Sequence, residues 1–161
     1  LPVFWNTSWF KMRPPHTTGA LIHKEHPLFD RFQSDTWANL NWWELVNNAQ
    51  VMNLANFPRT YQSPVQPIDT WHLCRKLGMV VEAEVNGGKL FMTSMDINTK
   101  LDKRHVARHM RNAILKYMSS GDFKPEMKVD TSVIVQILNE EAPKIDMFTN
   151  ESPDELKPQI K

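Results

Sequence analysis

The chain of 161 residues is 41% hydrophobic and 23% charged, the composition of a folding chain of about one domain with a real core to bury. Nineteen Lys and Arg against eighteen Asp and Glu leave a net charge of +1, so no overall field draws it to nucleic acid or an anionic membrane surface. The single cysteine, Cys74, excludes an intramolecular disulfide, and no apolar run approaches the ~18 residues that a spanning helix needs.

The chain opens without Met on Leu1-Pro2-Val3-Phe4-Trp5, an apolar run that reads as a strand already under way in a longer polypeptide. Pro14-Pro15 and Gly19 then predict mostly loop up to the polar stretch His23-Lys24-Glu25-His26. Asp35 fits a helix N-cap, and Trp37, Leu40, Trp43 and Asn47 follow at three- and four-residue spacing, which predicts a helix from that point. Val51 to Leu54 reads as the following strand, and Pro58, Pro64 and Pro67 punctuate a linking loop.

Met79, Val81, Ala83 and Val85 alternate with Val80, Glu82, Glu84 and Asn86, which predicts a half-exposed strand with charge on one face. Asn86-Gly87-Gly88 supplies the positive φ of a tight turn, and Lys89 to Met95 returns as the partner strand, apolar on both sides and therefore expected deeper in the sheet. Asp102 is placed to cap a helix running to about Met118, carried by Val106, Met110, Ala113-Ile114 and Tyr117. A shorter helix is expected from Asp130 to about Glu141, stopped by Pro143. Strands alternating with helices predict an α/β fold, a layered sheet with flanking helices and an antiparallel hairpin on an otherwise parallel sheet. Residues 1–148 form the expected domain, and 149–161 an acidic tail.

Six tryptophans, at 5, 9, 37, 42, 43 and 71, all lie in the first half, and flat aromatic faces are what proteins stack on sugar rings or bases. Trp42-Trp43 stands out, because adjacent helical positions point about 100° apart and cannot share one buried stripe. The bland alternative is that these residues serve a core or a domain interface. Asp69, close to Trp71 and Arg75, sits at a strand end, where α/β sheets place ligand sites. Trp42, Trp43, Asp69, Trp71 and Arg75 are thus the candidate substrate-binding residues.

Glu82 and Glu84 share a strand face, as paired glycosidase carboxylates must stand close together, but alternating Glu more often solvates a sheet edge. His105 and His109 are one turn apart as helical metal ligands would be, yet no third ligand is evident; His23 and His26 share that weakness. Arg104, Arg108 and Arg111 form a basic stripe better suited to a solvated face, at this net charge, than to phosphate reading. No nucleophile elbow or P-loop occurs, and Cys74 has no activating base. The residues therefore nominate no catalytic group, no metal site and no cofactor.

Pro2-Val3-Phe4-Trp5-Asn6-Thr7, Asn41-Trp42-Trp43-Glu44-Leu45, Val65-Gln66-Pro67-Ile68-Asp69-Thr70-Trp71, Arg75-Lys76-Leu77-Gly78 and the hairpin into Asp96 follow one another in an order that resembles the C-terminal region of bacterial glycoside hydrolase family two proteins, the β-galactosidase and sugar-binding group. The ordered series over about residues 1–148 carries the likeness more than any single motif. The resemblance implies a non-catalytic accessory module, similar to a partial glutamine amidotransferase-like, flavodoxin-like domain, in a periplasmic or extracellular parent. It implies that the acid/base and nucleophile glutamates belong to an upstream barrel. The partners it implies are the upstream domains of the same polypeptide, with an oligosaccharide as the candidate ligand and neither nucleic acid nor a membrane span. A structural oligomerisation module and a small stand-alone hydrolase using Asp69, Arg75 and the hairpin carboxylates are the alternatives.

Overall fold

The computed structural model describes residue 17 and residues 19–46, 49–69 and 73–141. The expected opening strand at Val3-Phe4-Trp5, the tail 149–161 and Trp71 lie outside the described residues.

Alternating burial puts Gly19–Ile22 (β1) and Val65–Ile68 (β3) into one antiparallel ladder, with Ile22 opposite Val65 and Gly19 opposite Ile68. Met52–Asn53 (β2) pairs with Leu77–Gly78 (β4), also antiparallel. A Cβ at Gly78 would stand 2.6 Å from Leu54 Cδ1 and 2.9 Å from Ser63 Oγ, so only glycine allows this approach. Val80–Val85 (β5) and Gly88–Thr93 (β6) make the expected hairpin. Its turn residues Asn86 and Gly87 have φ of 50° and 78°, the left-handed pair that a two-residue turn demands.

The fold is mixed α/β, but its named strands pair as three two-stranded antiparallel ladders. Among the described residues, parallel pairing survives only as the bridge between Glu84 and Lys128. The expected parallel sheet fails for a physical reason. Parallel neighbours need a crossover of a dozen or more residues, usually a helix. Among the described residues, the segments between these strands hold only the 3-10 turns Pro27–Asp30 and Leu40–Trp42 and the one-turn helix Trp43–Val46 (α1), and both longer helices follow the last strand.

The helix expected from Asp35 is displaced. Backbone bonds from Ile22 N–H to the Thr36 carbonyl (2.7 Å) and from Ala38 N–H to the Ala20 carbonyl (2.9 Å) draw residues 36–38 alongside β1. Helical structure starts only after Asn39, whose Oδ1 accepts the Asn41 N–H at 2.9 Å.

The strand β5 is not half-exposed, and its partner is not the deeper of the two. Val80, Val81, Glu82 and Ala83 are all buried, whereas β6 is exposed to half-buried along its length. Residues 127–129 occupy the second edge of β5, because Glu84 N–H donates to the Met127 carbonyl (2.7 Å) and Val129 N–H to the Glu84 carbonyl (3.0 Å). Helices cover both faces. His105–Met118 (α2) buries Ala107, Met110, Ala113, Ile114 and Tyr117 at one-turn spacing, in a core with Trp42, Leu45 and Val80. Thr131–Asn139 (α3) packs Ile134 into a second core with Val81, Ala83, Leu54 and Phe57. Full burial of a side chain such as Met110 or Ile114 contributes roughly 1.5–3 kcal/mol.

The caps of the two helices differ. Asp130 Oδ1 accepts the Ser132 N–H at 2.8 Å and starts α3 where expected. The α2 N-terminus is capped from a distance, since Glu44 Oε2 accepts the N–H groups of Val106 (3.0 Å) and Ala107 (3.1 Å), and Asp102 lies outside the helix. Among the described residues no helix is long and apolar enough to cross a membrane.

Candidate functional site

The loop 33–41 is held at both ends by aromatic residues of the core. The Phe32 and Trp42 rings meet edge to face at 5.5 Å, and Trp42 Nε1–H donates to Ser34 Oγ at 2.9 Å. The start of α2 stands opposite, with the His109 ring 5.3 Å from that of Phe32. Between them lies a cleft of about 290 Å³ whose polar lining is Gln33, Ser34, Asn39, Asn41, His105 and His109. Phe32, Trp42 and Val106 supply its apolar wall. Gln33, Ser34, Asn39 and Asn41 also line a more open trough of about 580 Å³ that carries Lys24, Glu25 and Asp35, so the two adjoin along this segment.

The charged groups around this cleft are largely committed. The Glu44 carboxylate occupies the α2 N-terminus. Arg104 bridges the Asp96 carboxylate (2.8 Å) and the carbonyls of Asp96, Thr99 and Glu44. The Thr99 hydroxyl, assisted by backbone N–H groups and by Arg104, pulls the Asp96 carboxyl down to about 2. Arg111 bonds the Ile97 carbonyl and Asn98, and Arg108 meets His105 Nδ1 at 3.0 Å. The stripe of arginines therefore ties α2 to the 96–99 loop at two of its three members.

A second polar cluster is buried. Glu82 is 8% exposed; its Oε2 accepts the Tyr117 hydroxyl at 3.0 Å and faces His26 Nε2 at 3.4 Å. Its backbone N–H donates to the Tyr61 hydroxyl at 3.0 Å. His26 Nδ1 accepts the Leu28 N–H at 3.3 Å, which leaves the ring proton on Nε2, toward Glu82. Burial pushes Tyr61 up to about 12. Burial first and the Glu82 charge second raise Tyr117 as well. The charged strand face expected to be solvated is thus half internal: Glu82 lies under α2, and only Glu84 reaches out, 3.5 Å from Lys128.

Asp69 and Arg75 come together, on each other. Asp69 Oδ2 accepts Arg75 N–H (2.9 Å) and Nε–H (2.8 Å), Oδ1 accepts Nη2–H (3.2 Å), and the carboxylate is only 3% exposed. The pair ties residue 69 to residue 75. Trp42, 1% exposed, belongs to the core and reaches the cleft only as part of its wall, which corrects its assignment to ligand stacking. Trp43 is 45% exposed, on α1. Of the residues nominated from the sequence, Trp42 alone lines the cleft or trough. The amide residues Gln33, Asn39 and Asn41 were not singled out as site residues; what marks them is their place between two core aromatics, Phe32 and Trp42.

A mixed α/β domain of this kind defines a class and not an activity. The chain belongs to the family described as a domain of unknown function, DUF8487, whose family model matches residues 1–139. No curated protein matches the chain in sequence.

Proposed function

We propose that this chain is a non-catalytic accessory module of a glycoside hydrolase acting on β-linked glycans, of the β-galactosidase-like group, and that it packs against the catalytic barrel of its parent. The observation that carries the reading is the set of exposed apolar side chains spaced along the 33–43 segment, where Trp37 is 57% exposed, Leu40 83% and Trp43 45%. Three large apolar side chains left in water on one short segment suit a surface that another domain covers. The carboxylates support the same reading. Glu82 and Asp69 are spent on Tyr117 and Arg75, and Glu84 faces Lys128, so each serves the fold where a glycosidase would leave a pair open to substrate.

The experiment compares the parent protein with a version lacking residues 1–148, on an aryl β-galactoside and on a long β-linked glycan, alongside the isolated chain. The expected result is no turnover by the isolated chain and a deletion that lowers parent stability or long-glycan activity more than aryl-galactoside turnover. Hydrolysis by the chain itself would overturn the reading. The same exposed side chains favour, as a second reading, an interface between two copies of the chain, which would show as a dimer that Leu40→Glu dissociates.

A further inference from the structure

We infer that the cleft between the 33–41 loop and the first turns of α2 is a binding site for an uncharged, hydroxyl-rich ligand, a neutral di- or oligosaccharide. The site is read from its own geometry; the choice of β-linked sugars as probes rests on the proposed function. Its volume of about 290 Å³ sits at the small end of ligand sites and suits one ring, and the adjoining 580 Å³ trough gives a second ring somewhere to go.

The lining chemistry selects the class. Hydroxyls donate and accept at once, and so do side-chain amides and neutral imidazoles. Among the described residues the Asn41 and Gln33 side chains make no hydrogen bond within the fold, and Asn39 spends only its oxygen, on the Asn41 N–H. Their groups line the cleft with hydrogen-bonding capacity that the protein does not use. The His109 ring, set against Phe32 and exposed beside the cleft, adds a flat face and a ring nitrogen.

Charge argues against the other classes. The α2 N-terminus would attract an anion, but the Glu44 carboxylate already takes its Val106 and Ala107 N–H groups. Glu25 and Asp35 in the trough add further negative charge for an anion to meet. A cation would meet Lys24 in the trough and Arg108 beside His105. Charges of both signs are thus mixed around the cleft and trough, which favours neither an anion nor a cation over a neutral polyol.

The test is calorimetric titration of the full chain with lactose, cellobiose and xylobiose, and with galacturonate as the charged comparison. The result expected is saturable binding of at least one neutral disaccharide, with galacturonate weaker. Asn41→Ala should weaken that binding about tenfold, the effect of one lost hydrogen bond that leaves a ligand hydroxyl unanswered. Gln33→Ala, a second exposed side chain with no role in the fold, provides an independent variant, and unchanged thermal melts certify both. Binding that survives Asn41→Ala, Gln33→Ala and His109→Ala would overturn the site while leaving the accessory-module reading standing. Tighter binding of galacturonate would overturn the neutral class. A folded chain that binds none of these sugars would overturn the inference altogether, whereas the module reading would fall only to the truncation and turnover measurements on the parent.

Discussion

Around Glu82, neighbours answer most of the polar atoms: Tyr117 and His26 face one carboxylate oxygen, and Tyr61 takes the backbone N–H. Around Asn41, at the N-terminal end of α2, amides and imidazoles face a cleft and leave much of their hydrogen-bonding capacity to solvent. Both clusters are polar, and burial separates their roles. A polar group under a helix is costly unless paired, so its partners are built into the fold; one beside a cleft is solvated and free to trade water for a ligand.

The comparison breaks most sharply at Glu82. Glu82→Ala strands the Tyr117 hydroxyl and His26 Nε2 and leaves a cavity, at an expected cost of about 3 kcal/mol, read as a lower urea midpoint at unchanged slope. Glu82→Gln keeps an oxygen that can accept from Tyr117 and should lose less; a larger loss than for Ala would show that the carboxylate is not held by that hydroxyl.

Alkaline titration sharpens the same point, because Tyr61 and Tyr117 are the chain's two tyrosines and both lie buried beside Glu82. Tyr61 is raised from 10.0 to about 12 by burial. A raised folded value contributes stability that is fully present below the unfolded value and is lost as pH rises through the folded one. Tyrosinate absorbance should therefore stay low above pH 10 and appear, together with unfolding, toward pH 12. Smooth titration near 10 in a folded chain would contradict the burial.

Smaller effects are expected where partners are half-solvated. Glu44→Ala removes the remote cap of α2 and should cost about 1 kcal/mol by denaturant titration. Asp96 is lowered from 3.8 to about 2, chiefly by the Thr99 hydroxyl, so its contribution is present above the unfolded value and lost as pH falls through about 2. Asp96→Asn should flatten stability over that acid window and lower it at neutral pH, where the carboxylate's contribution is fully present. The smallest effect belongs to the cleft: Asn41→Ala should stay within about 0.5 kcal/mol of the parent in the same titration.

What could be read from the sequence follows the reach of each signal. The hairpin and both longer helices are local patterns, fixed by Asn86-Gly87, by the Met110 to Tyr117 stripe and by the Asp130 cap, and the structure keeps them. The helix expected from Asp35 had the right spacing, but residues 36–38 gain more from pairing with β1, a partner that spacing cannot reveal. Glu82 looked solvated because alternation identifies two faces without saying that helices cover both. Asp69 and Arg75 were nominated for a ligand, and in the structure they bind each other. The cleft was missed because amides carry little periodicity, and because its opposite wall, His105 and His109, comes from the far end of a long sequence separation.

The strand β5 is bonded differently along its two edges, and this has a consequence for amide hydrogen exchange. The N–H groups of Glu82 and Glu84 point away from the hairpin, to the Tyr61 hydroxyl and the Met127 carbonyl. Brief detachment of the 61 and 127 segments uncovers those two amides while the hairpin stays shut. The amides that bind β6 open only when the ladder itself parts, between two cores. One strand should thus show two protection levels in alternation, with Glu82 and Glu84 exchanging by local opening and their ladder-bound neighbours by global unfolding.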